Sequence, residues 1–75
     1  MEFDKVRLSR VMKSRRATLG WTQADLADAS GVSAGVISDY ERGATDNPQF
    51  PSLVKLANSL GCTVDDFVRK EVANV

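Results

Sequence analysis

Six cationic side chains, Lys5, Arg7, Arg10, Lys13, Arg15 and Arg16, stand between Met1 and Gly20 beside only two acids, Glu2 and Asp4. Such a cluster can attract phosphate, even on a chain of 75 residues whose ten basic and ten acidic groups cancel. From Thr22 to Arg42 the balance reverses: Asp25, Asp28, Asp39 and Glu41 face Arg42 alone. Charge is therefore segregated along the sequence. Other chemistry is poorly provided for. There is no histidine, so proton transfer near neutral pH lacks its usual agent. The single cysteine, Cys62, can close no disulfide within the chain and leaves a Cys/His zinc site without ligands. These residues point to binding rather than turnover, and the sequence implies no cofactor, metal or small-molecule ligand.

Binding side chains need elements to hold them, and the sequence marks these clearly. Four stretches share one grammar: an apolar residue, a capping residue, and a second apolar residue at the fourth helical position, which is a hydrophobic staple around an N-cap. They are Phe3–Asp4–Leu8, Trp21–Thr22–Leu26, Val32–Ser33–Ile37 and Cys62–Thr63–Phe67. Asp25 after Thr22 and Asp66 after Thr63 add capping boxes. Gly20, Gly31, Gly43 and Gly61 stand where helices should stop. Pro51 suits the first turn of another helix, in which Leu53, Leu56, Ala57 and Leu60 recur at helical spacing up to Leu60. No stretch alternates with the period of a strand. The expectation is an all-α fold of five short helices, one compact domain over residues 1–75, with a longer loop from Ala44 to Phe50. No apolar run approaches the roughly 18–20 residues of a membrane span and no signal peptide opens the chain. The expected location is cytoplasmic and nucleoid-associated, without a membrane partner.

On a helical wheel Leu8, Val11, Met12 and Leu19 face inward and Arg7, Arg10 and Lys13 outward, with Arg15 running along the apolar direction. A charged outer face is ordinarily just solvated; phosphate contact by Arg10 or Lys13 is the alternative. Trp21, Tyr40, Phe50 and Phe67 read as core, and Cys62 as a buried small hydrophobe.

Between Gln23 and Arg42 the spacing fits two helices crossing through a tight turn, so that the second can project into a DNA major groove. Ala27 supplies the small residue at the crossing, Gly31 the turn, and Ile37 with Tyr40 the apolar anchor of the second helix.

The run GWTQADLADASGVSAGVISDYERG resembles the Cro/repressor (Xre-type) helix-turn-helix family, which includes the lambdoid phage repressors. The similarity extends upstream through SRVMKSRRATLG and downstream through NPQFPSLVKLANSLGCTVDDFV. It implies a five-helix, lambda-repressor-like DNA-binding domain with its motif at about 22–43. It implies that Thr22 and Gln23 lie at the start of the first motif helix, which contacts phosphate, with Gln23 reaching base edges. Ser33, Ala34, Gly35, Ser38 and Asp39 match recognition-helix positions, Ser33 toward phosphate and the others toward bases. Arg42, Asn47 and Gln49 match phosphate- and minor-groove-facing positions, and Arg10 joins the phosphate-facing set. Arg16 and Glu41 match an ion pair that ties the first helix to the recognition helix near the DNA backbone.

The recognition surface departs from its relatives. Ala34 and Gly35 carry no hydrogen-bonding side chain, so either they allow close approach to the bases or they are simply tolerated. Asp39 can accept a hydrogen bond from cytosine N4 or pair with Arg42 three residues on. The loop ATDNPQ lacks cations, and Gln49 stands where phage relatives can carry an arginine; both imply weak salt dependence.

The last helix, about 63–72, carries Val64, Phe67, Val68, Val72 and Val75 on one arc. With Phe67 and Val64 inward, Val68, Val72 and Val75 form either a two-fold dimer seam or a frayed tail. The resulting expectation is a transcriptional regulator binding double-stranded DNA, as a homodimer on a palindromic operator. Its rival is a protein-interaction module, such as an antitoxin or anti-regulator, with secondary DNA binding.

Overall fold

The computed structural model describes residues 4–68, and within them the elements are five helices. These are α1 (Lys5–Leu19), α2 (Gln23–Ser30), α3 (Ala34–Glu41), α4 (Phe50–Leu60) and α5 (Val64–Val68). Local chemistry fixes their ends. Asp4 caps α1 by accepting from the N–H groups of Val6 and Arg7 at 3.0 and 3.1 Å. Both expected capping boxes form. Asp25 N–H donates to Thr22 Oγ1 and Thr22 N–H returns to Asp25 Oδ2, at 3.1 and 2.9 Å. Thr63 and Asp66 repeat the exchange at 3.2 and 3.0 Å. The staple that involves Phe3 lies outside the described residues.

Helix α1 packs against α3 and α5, and α2 packs against α3 and α4. Their inward faces make one core from Leu8, Met12, Leu26, Val32, Ile37, Tyr40, Leu53, Leu56, Ala57, Leu60, Phe67 and Val68. Val11, Trp21, Ala27, Val36, Cys62 and Val64 pack against it, partly buried. Cys62 thus takes the place expected of it. Burial pushes its thiol up, a shift that Arg15 opposes and Asp66 reinforces, so it stays protonated at neutral pH. No helix of the described residues is long and apolar enough to cross a membrane.

Three expectations for side-chain placement are corrected. Leu19 is 44% exposed because α1 overhangs the core at its last turn. Trp21, turned back by the bond from its N–H to the Arg16 carbonyl, packs there instead. Phe50 is 65% exposed. It shares the spacing of Leu53 and Ala57, yet it opens α4 one turn beyond the last layer of the core. Arg7 does not simply face solvent: its Nε donates to the Asp66 carbonyl at 2.9 Å and joins α1 to α5.

Candidate nucleic-acid interface

The turn between α2 and α3 is built from three residues. Gly31 adopts φ 79°, a left-handed conformation that costs a side-chain-bearing residue roughly 1–2 kcal/mol, and its N–H closes α2 on the Ala27 carbonyl. Val32 is buried and its N–H donates to Ser30 Oγ at 3.1 Å. Ser33 then starts α3, accepting from Val36 N–H at 3.2 Å. The second helix leaves this turn with Ile37, Tyr40 and Glu41 buried.

The opposite side of α3 is what the fold leaves outward. Ser33, Ala34, Gly35, Asp39 and Arg42 are exposed and Ser38 is half-buried. The caps occupy the N–H groups of Asp25 and Val36. Among the described residues no hydrogen bond is recorded for the first-turn N–H groups of Gln23, Ala24, Ala34 or Gly35, which remain available to an anion. Gly35 has ordinary helical backbone, and a Cβ added there would meet nothing within 4 Å. The other four glycines all carry positive φ. The fold gives a reason for each of those and none for Gly35. Asp39 and Arg42 form a salt bridge across this exposed face.

Three elements converge on Glu41, whose side chain is 3% exposed. Arg16 of α1 grips it twice, Nε to Oε2 at 2.9 Å and Nη2 to Oε1 at 2.8 Å, while Nη1 donates to the Trp21 carbonyl at 2.8 Å. Gln23 of α2 donates from Nε2 to the same Oε1 at 3.1 Å. Ser9 of α1 donates to the Glu41 carbonyl. Burial pushes the Glu41 carboxyl up, but the hydrogen bonds from Arg16 and Gln23 and the charges of Arg16 and Lys13 outweigh it and hold it below its ordinary value. The Arg16 guanidinium is correspondingly held further above its own, chiefly by the bond to Glu41. No buried side-chain nitrogen or oxygen among the described residues is left without a partner.

A groove of about 310 Å³ runs between α3 and the loop that follows it, lined by Val36, Asp39, Tyr40, Thr45, Asn47, Gln49 and Ser52. It brings the expected Asp39, Asn47 and Gln49 together. The loop is tied at two points: Gln49 N–H donates to the Tyr40 hydroxyl at 3.2 Å at its end, and Lys5 Nζ reaches Asp46 Oδ1 at 2.8 Å in its middle. Thr45, Ser52, Ser9 and the Lys5–Asp46 pair escaped the sequence reading. Each depends on contacts between distant segments, for which local spacing carries no signal.

Other expected site residues are placed differently. Arg10 lies six residues from Arg16, so at about 100° per residue the two point roughly 120° apart. Arg10 lines a surface shared with Asp66 of α5. Gln23 is half-buried with its amide turned to Glu41 rather than outward. Arg16 spends three donors inside the protein, which makes it an internal tie before it is a phosphate ligand. Val68 is in the core at 9% exposure, so it does not belong to an outward seam. Val72 and Val75 lie outside the described residues.

Comparison with known proteins shows the family and the fold. A helix-turn-helix family model matches residues 12–67. The HTH-type transcriptional regulator DdrOP3 of Deinococcus deserti is 35% identical over 63 residues, which cover 84% of this chain and 48% of that protein. The chain thus spans about half the length of that relative. The P22 c2 repressor, solved in complex with synthetic operator 9T, superposes with a TM-score of 0.76 at 31% identity, covering 85% of this chain and 96% of the repressor. SinR from the SinR/SinI protein complex shares the fold, with a TM-score of 0.81 at 24% identity over 91% of this chain and 66% of that one.

Proposed function

The chain belongs to the Cro/repressor (Xre-type) helix-turn-helix family of transcriptional regulators, and from that premise we propose that it reads a specific double-stranded DNA operator by seating α3 in the major groove. One observation carries the reading. The face of α3 from Ser33 to Arg42 contributes nothing to the core, while its other face is anchored by Ile37, Tyr40 and Glu41. A helix held so rigidly from behind presents its outward residues in a fixed register, which base recognition requires.

The roles divide by chemistry. The open N–H groups at the starts of α2 and α3, with Thr22 and Ser33 beside them, suit phosphate oxygens. Ala34 and Gly35 suit close approach to base edges, the Ala34 methyl against a thymine methyl, and Ser38 supplies a hydroxyl. Asp39 suits the amino group of cytosine, exchanging its bond to Arg42 for one to N4 while Arg42 turns to phosphate. Asn47 and Gln49, from the groove beside α3, suit the flanking backbone. The operator would be palindromic, bound by two copies whose recognition helices lie roughly 34 Å apart.

Selection from a randomised duplex library, followed by mobility shift, tests the reading. Enrichment of one inverted repeat, lost on replacing Asp39 and Ser38 together with alanine, is the expected result. No enrichment over random duplex would overturn it. The rival, a protein-interaction module with secondary DNA binding, draws on the zero net charge and the mutual neutralisation of Asp39 and Arg42; an absence of enrichment would favour it.

A further inference from the structure

We propose that the groove between α1 and α5 is a second binding surface, which takes an acidic peptide segment carrying an apolar side chain from a partner protein. Arg7, Arg10, Val11, Ser14, Arg15 and Asp66 line it, around a volume of about 220 Å³. Its position on α1 separates it from the DNA-reading side. Ser9 and Arg16 of α1 are turned to α3, where both bond Glu41. At about 100° per residue Arg7 and Ser14 lie roughly 140–180° round the same helix from Ser9 and Arg16, and Arg10 roughly 100–120°. A duplex seated on α3 therefore leaves this groove open.

The charge of the groove needs a partner. Arg10 and Arg15 are exposed and make no hydrogen bond or ion pair among the described residues. Arg7 borders them, held by its bond to the Asp66 carbonyl. On a chain with zero net charge, Arg10 and Arg15 make this surface locally cationic.

The lining favours a peptide over nucleic acid. Val11 provides an apolar floor, packed on the core and incompletely covered. The rim includes one acid, Asp66, whose carboxylate is held low chiefly by hydrogen bonds from Thr63 and so stays charged. A continuous phosphate backbone would pass that charge at close range. A peptide can instead set discrete carboxylates against Arg10 and Arg15 and an apolar side chain on Val11, with Ser14 available to its backbone. The volume suits one such side chain rather than a folded domain.

The proposal stands whether or not the operator reading does, and the test reads the two separately. The probe is a labelled peptide of alternating glutamate and leucine, titrated into the ¹⁵N-labelled full chain. The controls are a lysine–leucine peptide and a 12-base-pair duplex of arbitrary sequence. Amide shifts should cluster at residues 7–15 and 63–66 with the acidic peptide alone and weaken as salt is raised. R10E/R15E should weaken binding of that peptide by at least about tenfold, and R10Q/R15Q by a smaller factor, as expected for charge-assisted contacts. Both substituted side chains, Arg10 and Arg15, are exposed in the parent helix, and an unchanged α-helical circular dichroism spectrum establishes that the variants fold. Shifts centred on α2 and α3, equal binding by the R10E/R15E variant, or shifts in the groove caused by the duplex rather than the peptide would each overturn the proposal. Operator affinity measured on the same variants should change by no more than about threefold, the scale of a screened, distant charge. A larger loss would return the groove to the DNA interface and sink the inference while leaving the operator reading intact.

Discussion

Gln23 and Glu41, eighteen residues apart in sequence, are joined by a 3.1 Å bond from Nε2 to Oε1, so the first turn of α2 is tied to the last turn of α3 through the same oxygen that Arg16 grips. This fixes the angle between the two motif helices at the end remote from the Gly31 turn. The fold therefore clamps α3 at both ends. Gln23→Ala should cost about 1 kcal/mol of stability, the size of one partly buried hydrogen bond. It should weaken operator binding more than this, because α3 loses its alignment. Urea denaturation and fluorescence anisotropy measure the two effects; an affinity loss no larger than the stability loss would refute the alignment role.

The same carboxylate sets a pH dependence. Its folded value lies below its ordinary one near 4.5, so the stability it contributes is fully present above that value and is lost as pH falls through it toward the folded value. Glu41→Gln, which leaves the Arg16 charge without its counterion, should cost about 2–3 kcal/mol at pH 7, below the ~3–5 kcal/mol of a fully buried pair because Arg16 keeps some solvent. The gap between wild type and variant should narrow steadily below pH 4.5. A gap that is constant from pH 7 to pH 3 contradicts the assignment.

Gly35→Ala separates folding from reading. With no neighbour within 4 Å of the new Cβ, the substitution should raise stability by up to about 1 kcal/mol through helix propensity. If the bare backbone is there for close approach to a base, operator affinity should drop at least about tenfold, since 1.4 kcal/mol per decade is easily exceeded by one steric clash. A thermal melt and a binding isotherm on one preparation decide it. A more stable variant with unaltered affinity and preference would mean that Gly35 is merely tolerated.

Asp39 and Arg42 invite a double-mutant cycle. In the free protein their exposed pair should couple by less than about 1 kcal/mol. On the operator, Asp39→Asn should relax preference at a single base pair, by about 1–3 kcal/mol, whereas Arg42→Ala should weaken all duplexes alike. Identical preference profiles for Asp39→Asn and wild type exclude base reading by Asp39.

The two phenylalanines at the ends of the downstream helices test the limits of the core. Phe67, fully buried, should lose about 3–5 kcal/mol on replacement by alanine. Phe50, mostly exposed, should stay within about 0.5 kcal/mol. Equal losses in chemical denaturation would place Phe50 back in the interior.

What could be read from the sequence was local. The caps at Asp4, Thr22, Ser33 and Thr63 are decided by residues three apart, and each formed as spacing required. Periodicity also chose the buried stripe of α4 correctly. It failed at Leu19 and Phe50, because a wheel gives direction around a helix and says nothing about where the core ends along it. The site split in the same way. The outward set on α3 follows from helix phase, whereas the turning of Gln23 to Glu41 and of Arg10 toward α5 depends on which helices become neighbours.

The bare outward face of α3 has one more consequence. Because Ala34, Gly35, Ser38 and Asp39 lie outside the buried core, the reading proposed above makes target preference and foldability nearly independent properties of this chain. On that reading, substitutions at those four positions would redirect it to other sequences without redesigning what holds it together. The scaffold is thus already suited to divergence, in which duplicated copies could drift to separate targets while keeping the same interior.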